Sequence, residues 1–170
     1  MEIIACIKRV PDTETRVKIL EDGSGINSEG IKYITSPYDE FALEAALRAK
    51  ETEESSTVTV MTLGHDEAQE NLRNALALGA DEATLLNGAV TMDGLATAKV
   101  LAQEMKSKSP DLVLFGVKAG DDDQQQVGPM VATLLDYRCV TNVTNFEIQE
   151  SIVICKRQIE GGNEVVEVTL

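Results

Sequence analysis

Three consecutive aspartates, Asp121, Asp122 and Asp123, stand in the run GVKAGDDDQQQVGPMVA (116–132). They follow an apolar stretch, DLVLFG (111–116), and open a segment of helical pattern, DQQQVGPMVATLLD (123–136). Two kinds of chemistry fit such a cluster. An acid at a helix start accepts hydrogen bonds from the first N–H groups and suits the helix dipole, worth ~0.3–1 kcal/mol. An acid can also accept a ribose hydroxyl, as in dinucleotide folds. Three like charges exceed what one cap requires, and one acid can cap while another reads a sugar. The first turn of the helix offers N–H groups without intrahelical partners. A phosphate placed there needs no Arg or Lys. Gln124, Gln125, Gln126, Val127 and Gly128 are the candidate donors, Pro129 lacks an N–H where one is seldom needed, and Gly116 and Gly120 let the backbone approach a ligand.

Other chemistries are poorly supplied. His65 is the only histidine, which excludes a two-histidine metal site, and it reads as an exposed turn residue. Adjacent aspartates in extended backbone point apart, so a direct metal site is not expected. The chain has no GxxxxGK[ST], and Gly23, Gly25 and Gly30 fail the GxGxxG spacing with no helix directly after them. A hairpin turn between VKIL (17–20) and IKYIT (31–35) is the expectation there. Cys6, Cys139 and Cys155 form no CxxC pair, and two of them lie in apolar strand-like runs. Buried reduced thiols and a reducing compartment follow.

Composition narrows the class further. With 170 residues and 43% hydrophobic side chains the chain can bury one sizeable core. Aromatics make up 4%, Trp is absent, and 29 acidic against 15 basic residues leave a net charge of −14. Binding of nucleic acid is not expected from such a surface. The opening MEIIACIKRV reads as a first strand and not a signal peptide, and no apolar run reaches membrane-spanning length. A cytoplasmic protein without membrane insertion is the expectation.

The elements that must position the acidic loop alternate in type. EIIACI (2–7), TVTVMTLG (57–64), EATLLN (82–87) and DLVLFG (111–116) read as strands. SPYDEFALEAALRAKE (36–51), DEAQENLRNALALGA (66–80) and MDGLATAKVLAQEMKSK (92–108) read as the helices between them. In the first helix Phe41, Ala42, Ala45, Ala46 and Ala49 share a flank, widened by Leu43 and Leu47, with Ser36 as cap and Pro37 in the first turn. VTNVTNFEIQ, SIVICKRQIE and EVVEVTL then form antiparallel strands joined by short turns. The fold class is α/β: a doubly wound, mainly parallel sheet with C-terminal antiparallel strands, in a single domain over 1–170. Ligands in such sheets sit at the carboxyl ends of the strands, at a switch in strand order. Cys6 and Leu63 lie at two of those ends and suit an adenine slot.

CIKRVPD, SPYDEFALEAALRAKE, LRNALALGADEATLL, DLVLFGVKAGDDDQQQVGPMVA and RQIEGG occur in this order, and together they resemble the β subunit of electron transfer flavoprotein across nearly the whole chain. That resemblance implies a Rossmann-like α/β domain of adenine-nucleotide-binding type, holding AMP or FAD. It implies a partner α subunit carrying a redox-active FAD, with dehydrogenases delivering electrons to the complex. The subunit itself is expected to make and break no bonds. Carried over by motif, the nucleotide contacts are Cys6, then Ser36, Pro37, Tyr38 and Asp39, then Leu63. The acidic loop supplies Gly116, Val117, Lys118, Ala119, Gly120, Asp121, Asp122, Asp123, Gln124, Gln125, Gln126 and Val127. The family's usual Asn before the proline is here Ser36, its GKQAIDDD is here GVKAGDDD, and its threonine near the phosphate is here Val127. QVGP resembles flavin-bearing members and DDD the AMP-bearing ones. The family extends beyond the point matched by EVVEVTL, so a nucleotide-binding core is expected, either a piece of a longer protein or a short paralogue. A stand-alone adenine-nucleotide-binding regulator, like a universal stress protein, is the alternative; an adenylating enzyme would need a glycine loop after the first strand, which KRVPD does not supply.

Overall fold

A computed structural model describes residues 1–53, 55–88 and 92–170. Strand β1 (Glu2–Cys6) carries Ile3 and Ala5 to one face and Ile4 and Cys6 to the other, all buried, as a strand covered on both sides requires. It lies between β4 (Thr57–Gly64) and β6 (Leu112–Phe115), and β5 (Glu82–Asn87) lies beyond β4; all pairings are parallel in the order β5-β4-β1-β6. Helices α1 (Pro37–Thr52) and α2 (Gln69–Leu78) cover one face, where Leu43, Ala46, Leu72 and Ala75 meet Ile3, Ala5, Val58 and Val60. Helices α3 (Gly94–Lys108) and α4 (Val127–Leu135) cover the other, where Ala98, Leu101, Met105 and Val131 meet Ile4 and Met61. The fold is the expected α/β class, with a parallel sheet between helices and antiparallel strands after it.

Two acids staple the amino ends of the strands. Asp111, just before β6, accepts the Glu2 N–H at 2.7 Å, and Asp81, just before β5, accepts the Val58 N–H at 2.8 Å. Parallel strands leave such terminal N–H groups without ladder partners, and a short acidic side chain satisfies them. Lys50 reaches from α1 to the same Asp81 carboxylate and to the Gly79 carbonyl, closing the turn at the glycine that ends α2 with φ +125°.

Several expectations change at the edges. The strand expected over 17–20 does not form; Ile19 and Ile26 make a single antiparallel bridge, and the paired strands are β2 (Arg9–Pro11) and β3 (Tyr33–Thr35). Val17 and Ile19 are exposed, so VKIL has no core to hold a longer ladder. Phe41 is also exposed, at 72%; the inward face of α1 consists of Asp39, Ala42, Leu43, Ala46 and Ala49. The segment expected as one helix from 66 begins with a 3-10 turn, Asp66–Ala68, before α2. Strands β7 (Val143–Gln149), β8 (Ile152–Ile159) and β9 (Gly162–Thr169) form the expected antiparallel sheet, with Phe146, Cys155 and Val166 in register across it.

Ile4 is fully buried in the middle of β1 against the α3–α4 layer. Ile4→Ala is expected to destabilise the fold by about 3 kcal/mol, read as a lowered urea midpoint.

Candidate functional site

The sheet reverses its direction of winding between β1 and β6. The chain runs outward from β1 to β4 and β5, then returns to place β6 on the other side of β1. A crevice must open where the connections after these two strands diverge. It is part of a cavity of about 1640 Å³ that also runs beside β6 to the three-stranded sheet, lined there by Leu112, Leu114, Phe146, Val153 and Val168. That is more than a small-molecule pocket of roughly 300–1,000 Å³, because two spaces join.

Asp39 closes the gap between the diverging strands. It sits in the first turn of α1, buried to 7% exposure, and its Oδ2 accepts the Lys8 N–H at 2.8 Å while its Oδ1 accepts the Gly116 N–H at 3.1 Å. Lys8 follows β1 and Gly116 follows β6, so one carboxylate holds both strand ends. The Ser36 N–H in turn donates to the Lys8 carbonyl at 2.8 Å, which docks the start of α1 on the same residue. Burial pushes the Asp39 carboxyl up to about 7, against the opposing pull of the Lys8 and Gly116 N–H groups and the Lys8 charge.

The acidic loop does not cap the helix. Helix α4 starts at Val127, four residues later than expected, and its N-cap position is Gln126, which makes no side-chain cap bond. Asp123 and Gln125 take positive φ, +54° and +55°, so the backbone cannot run helically through them. The aspartates are held by cations instead. Lys8 Nζ contacts Asp121 Oδ1 at 2.8 Å and Asp122 Oδ2 at 2.9 Å, and Lys118 Nζ contacts Asp123 Oδ2 at 2.8 Å. Partial burial opposes the Lys8 charge, yet its bonds to Asp121 and Asp122 hold its pKa above the ordinary value. The Gln124 N–H turns back to Asp122 Oδ1 at 3.3 Å. Among the described residues no protein acceptor stands against the N–H groups of Gln125, Gln126, Val127 and Gly128. Gln125 to Gly128 line the cavity.

Of the residues singled out by sequence, Cys6, Asp39, Leu63, Gly116, Val117, Lys118, Ala119, Asp121, Asp122, Gln124, Gln125, Gln126 and Val127 line this cavity. Ser36, Pro37, Tyr38, Gly120 and Asp123 are not among its lining residues. Ser36 is wholly buried, and its hydroxyl has no partner among the described residues. Tyr38 lies under the Lys118 ammonium, 5.3 Å from its ring centroid. His65 is exposed, as expected, and borders the cavity. Among the described residues no cluster of His, Cys, Asp or Glu could hold a metal ion, and no helix is long and apolar enough to cross a membrane. Lys8 was missed. The signal that could have found it is charge balance, since three adjacent acids call for cations and Lys8 follows the first strand, whose end lies beside theirs in a parallel sheet.

The family profile described as "Electron transfer flavoprotein domain" matches residues 24–170. The chain is 36% identical to the electron transfer flavoprotein subunit beta of Bradyrhizobium diazoefficiens over 166 residues, 98% of this chain and 67% of that protein. It is 38% identical to the Bacillus subtilis subunit beta, covering 100% of this chain and 66% of the relative. It is 43% identical to the caffeyl-CoA reductase-Etf complex subunit CarD of Acetobacterium woodii, again over 100% of this chain and 66% of the relative. The chain belongs to the electron transfer flavoprotein β-subunit family. It spans about two thirds of the length of these family members.

Within this family member Gly116 has a packing role that the sequence did not suggest. A Cβ there would lie 2.3 Å from Asp39 Oδ1 and 2.7 Å from both the Asp39 nitrogen and the Tyr38 carbonyl carbon. The bare glycine lets β6 press its end against the first turn of α1. Gly128 does the same for α4, where a Cβ would touch the Phe115 ring at 3.3 Å. Gly116→Ala is expected to destabilise the protein by about 2–3 kcal/mol, since the clash is with backbone as well as with a pinned side chain. Thermal denaturation reads that loss.

Asp39 also sets a pH dependence. Its folded carboxyl titrates at about 7 against an ordinary 3.8, so between those values the folded chain keeps a proton that the unfolded chain has lost. This contribution to stability is fully present below the ordinary value and is lost as pH rises through about 7. Urea midpoints measured across that window should fall for the wild type by more than for Asp39→Asn, whose residue 39 cannot titrate.

Proposed function

We propose that this chain is the nucleotide-holding subunit of an electron-transferring complex. It binds AMP or FAD in the crevice between β1 and β6 and pairs with an FAD-carrying α subunit, which receives electrons from dehydrogenases. The observation that carries the reading is the set of amides at the start of α4 that meet no acceptor among the described residues and open into a cavity at the switch in strand order. Membership of the family supports it, and a relative named as a subunit of the caffeyl-CoA reductase-Etf complex supplies the precedent of a multi-subunit assembly.

The residues fit an adenine nucleotide. Gln125, Gln126 and Val127 would present N–H groups to phosphate oxygens, reinforced by the dipole of α4. The Cys6 thiol, whose pKa burial pushes well up, stays neutral and lines the apolar wall with Leu63 and Met61. Asp121 is the acid best placed for a sugar hydroxyl. Lys8 takes its Oδ1, and its Oδ2 meets no protein donor among the described residues, whereas the oxygens of Asp122 are engaged by Lys8 and the Gln124 N–H. Lys8 and Lys118 leave the three aspartates with one formal negative charge in place of three. An anionic ligand is therefore opposed far less than the sequence charge suggests. AMP bound here would be structural, while FAD would supply a two-electron flavin; in either case the chain's own residues bind and orient it and move no proton in the transfer.

Isothermal titration with AMP and with adenosine separates the cradle from the adenine slot. Charge-assisted hydrogen bonds contribute about 1.5–3 kcal/mol each, so AMP should bind at least roughly tenfold more tightly than adenosine. Equal affinities would remove the phosphate cradle from the account. Mass spectrometry of the small molecule released on denaturing the purified protein should return AMP or FAD.

A further inference from the structure

The aspartate in the first turn of α1 does more than fill space. Its two oxygens accept N–H groups from two connections that diverge, Lys8 after β1 and Gly116 after β6. Both connections build the crevice. Lys8 holds Asp121 and Asp122 through its ammonium, and Gly116 begins the loop that ends at the first-turn amides of α4. The ladder between β1 and β6 ends at the Cys6–Phe115 pair; past that point the two connections are joined by the buried Asp39 carboxylate at the backbone and by the more exposed Lys8 ion pairs above it.

We propose that Asp39 is a positioning residue for the nucleotide: its ionised carboxylate holds the two loops at the width that binds ligand, and a proton on either oxygen loosens its hold on one of them. The proposal rests on the nucleotide reading above. The chemistry is that of acceptor strength. An ionised carboxylate accepts strongly on both oxygens, whereas a protonated one keeps its acceptor strength only on the carbonyl oxygen, so the N–H facing the hydroxyl oxygen loses a charge-assisted bond and its hold loosens. The charged and titratable groups facing it are the Lys8 ammonium and the Cys6 thiol at the end of β1 and Asp121 on the loop after β6. Lys8 favours the ionised form, Asp121 opposes it, and the buried thiol stays neutral. Because burial brings the carboxyl up to about 7, the switch falls near neutral pH.

Two measurements on the full chain test this. In a ¹⁵N-labelled sample titrated from about pH 5 to 9, the amide resonances of Lys8 and Gly116 should share one inflection near the Asp39 value. AMP affinity measured at about pH 8 and pH 6 should fall about tenfold more in the wild type than in Asp39→Asn, because the competent fraction drops by that factor across the step. Taking the ratio to the variant cancels the titration of the AMP phosphate itself. A ratio that stays constant, or that rises at low pH, overturns the positioning role. If the variant fails to fold, the amide titration of the unmodified chain decides, and the absence of a common inflection overturns the clamp. A wild type that binds no AMP at either pH, with both amides still titrating together, overturns the nucleotide reading and leaves the clamp standing.

Discussion

Parallel strands with helices on both faces leave their backbone ends without ladder partners, and where the winding direction reverses the two neighbouring ends must part. In this protein that gap is spanned by one buried carboxylate, Asp39, accepting from Lys8 and Gly116. Most of the local architecture follows from making room for it. Gly116 must lack a side chain because the Asp39 carboxylate and the α1 backbone occupy the place of its Cβ. The Ser36 N–H must reach the Lys8 carbonyl for the first turn of α1 to dock there. The same device recurs in milder form at the opposite end of the sheet, where Asp81 and Asp111 each accept one N–H from the start of a neighbouring strand.

The acidity of the chain takes on a different meaning once these partners are known. A net charge of −14 reads as a field hostile to any anion. Yet the acids nearest the crevice are either stapled to backbone N–H groups or paired with Lys8 and Lys118, while the main-chain amides at the head of α4 meet no acceptor among the described residues. Exposed ion pairs of this kind contribute roughly 0–1 kcal/mol to stability, so their larger effect is on shape. They pin the loop away from helical geometry and leave the amides of α4 uncapped by side chains.

Much of the framework was legible because it rests on local periodicity. The apolar runs of β1, β4, β5 and β6, the helices between them and the three antiparallel strands all follow from patterning over short windows. The failures have local causes too. VKIL has strand-forming residues but nothing to pack on, and Phe41 fits an apolar flank in sequence while pointing to solvent. For the acidic loop, composition at a helix start pointed to capping, and positive φ at Asp123 and Gln125 moved the helix start beyond reach.

The sequence by itself determined the fold class, the order of its elements, the family and the loop that borders the crevice, because these depend on residue types close together along the chain. Tertiary structure alone decided which partner each acid takes: Asp39 with two strand ends, Asp121 and Asp122 with a lysine more than a hundred positions away, Asp123 with Lys118. The physical reason is that a carboxylate's role is set by the donors brought within about 3 Å of it. Those donors arrive here through the crossover that lays β6 beside β1.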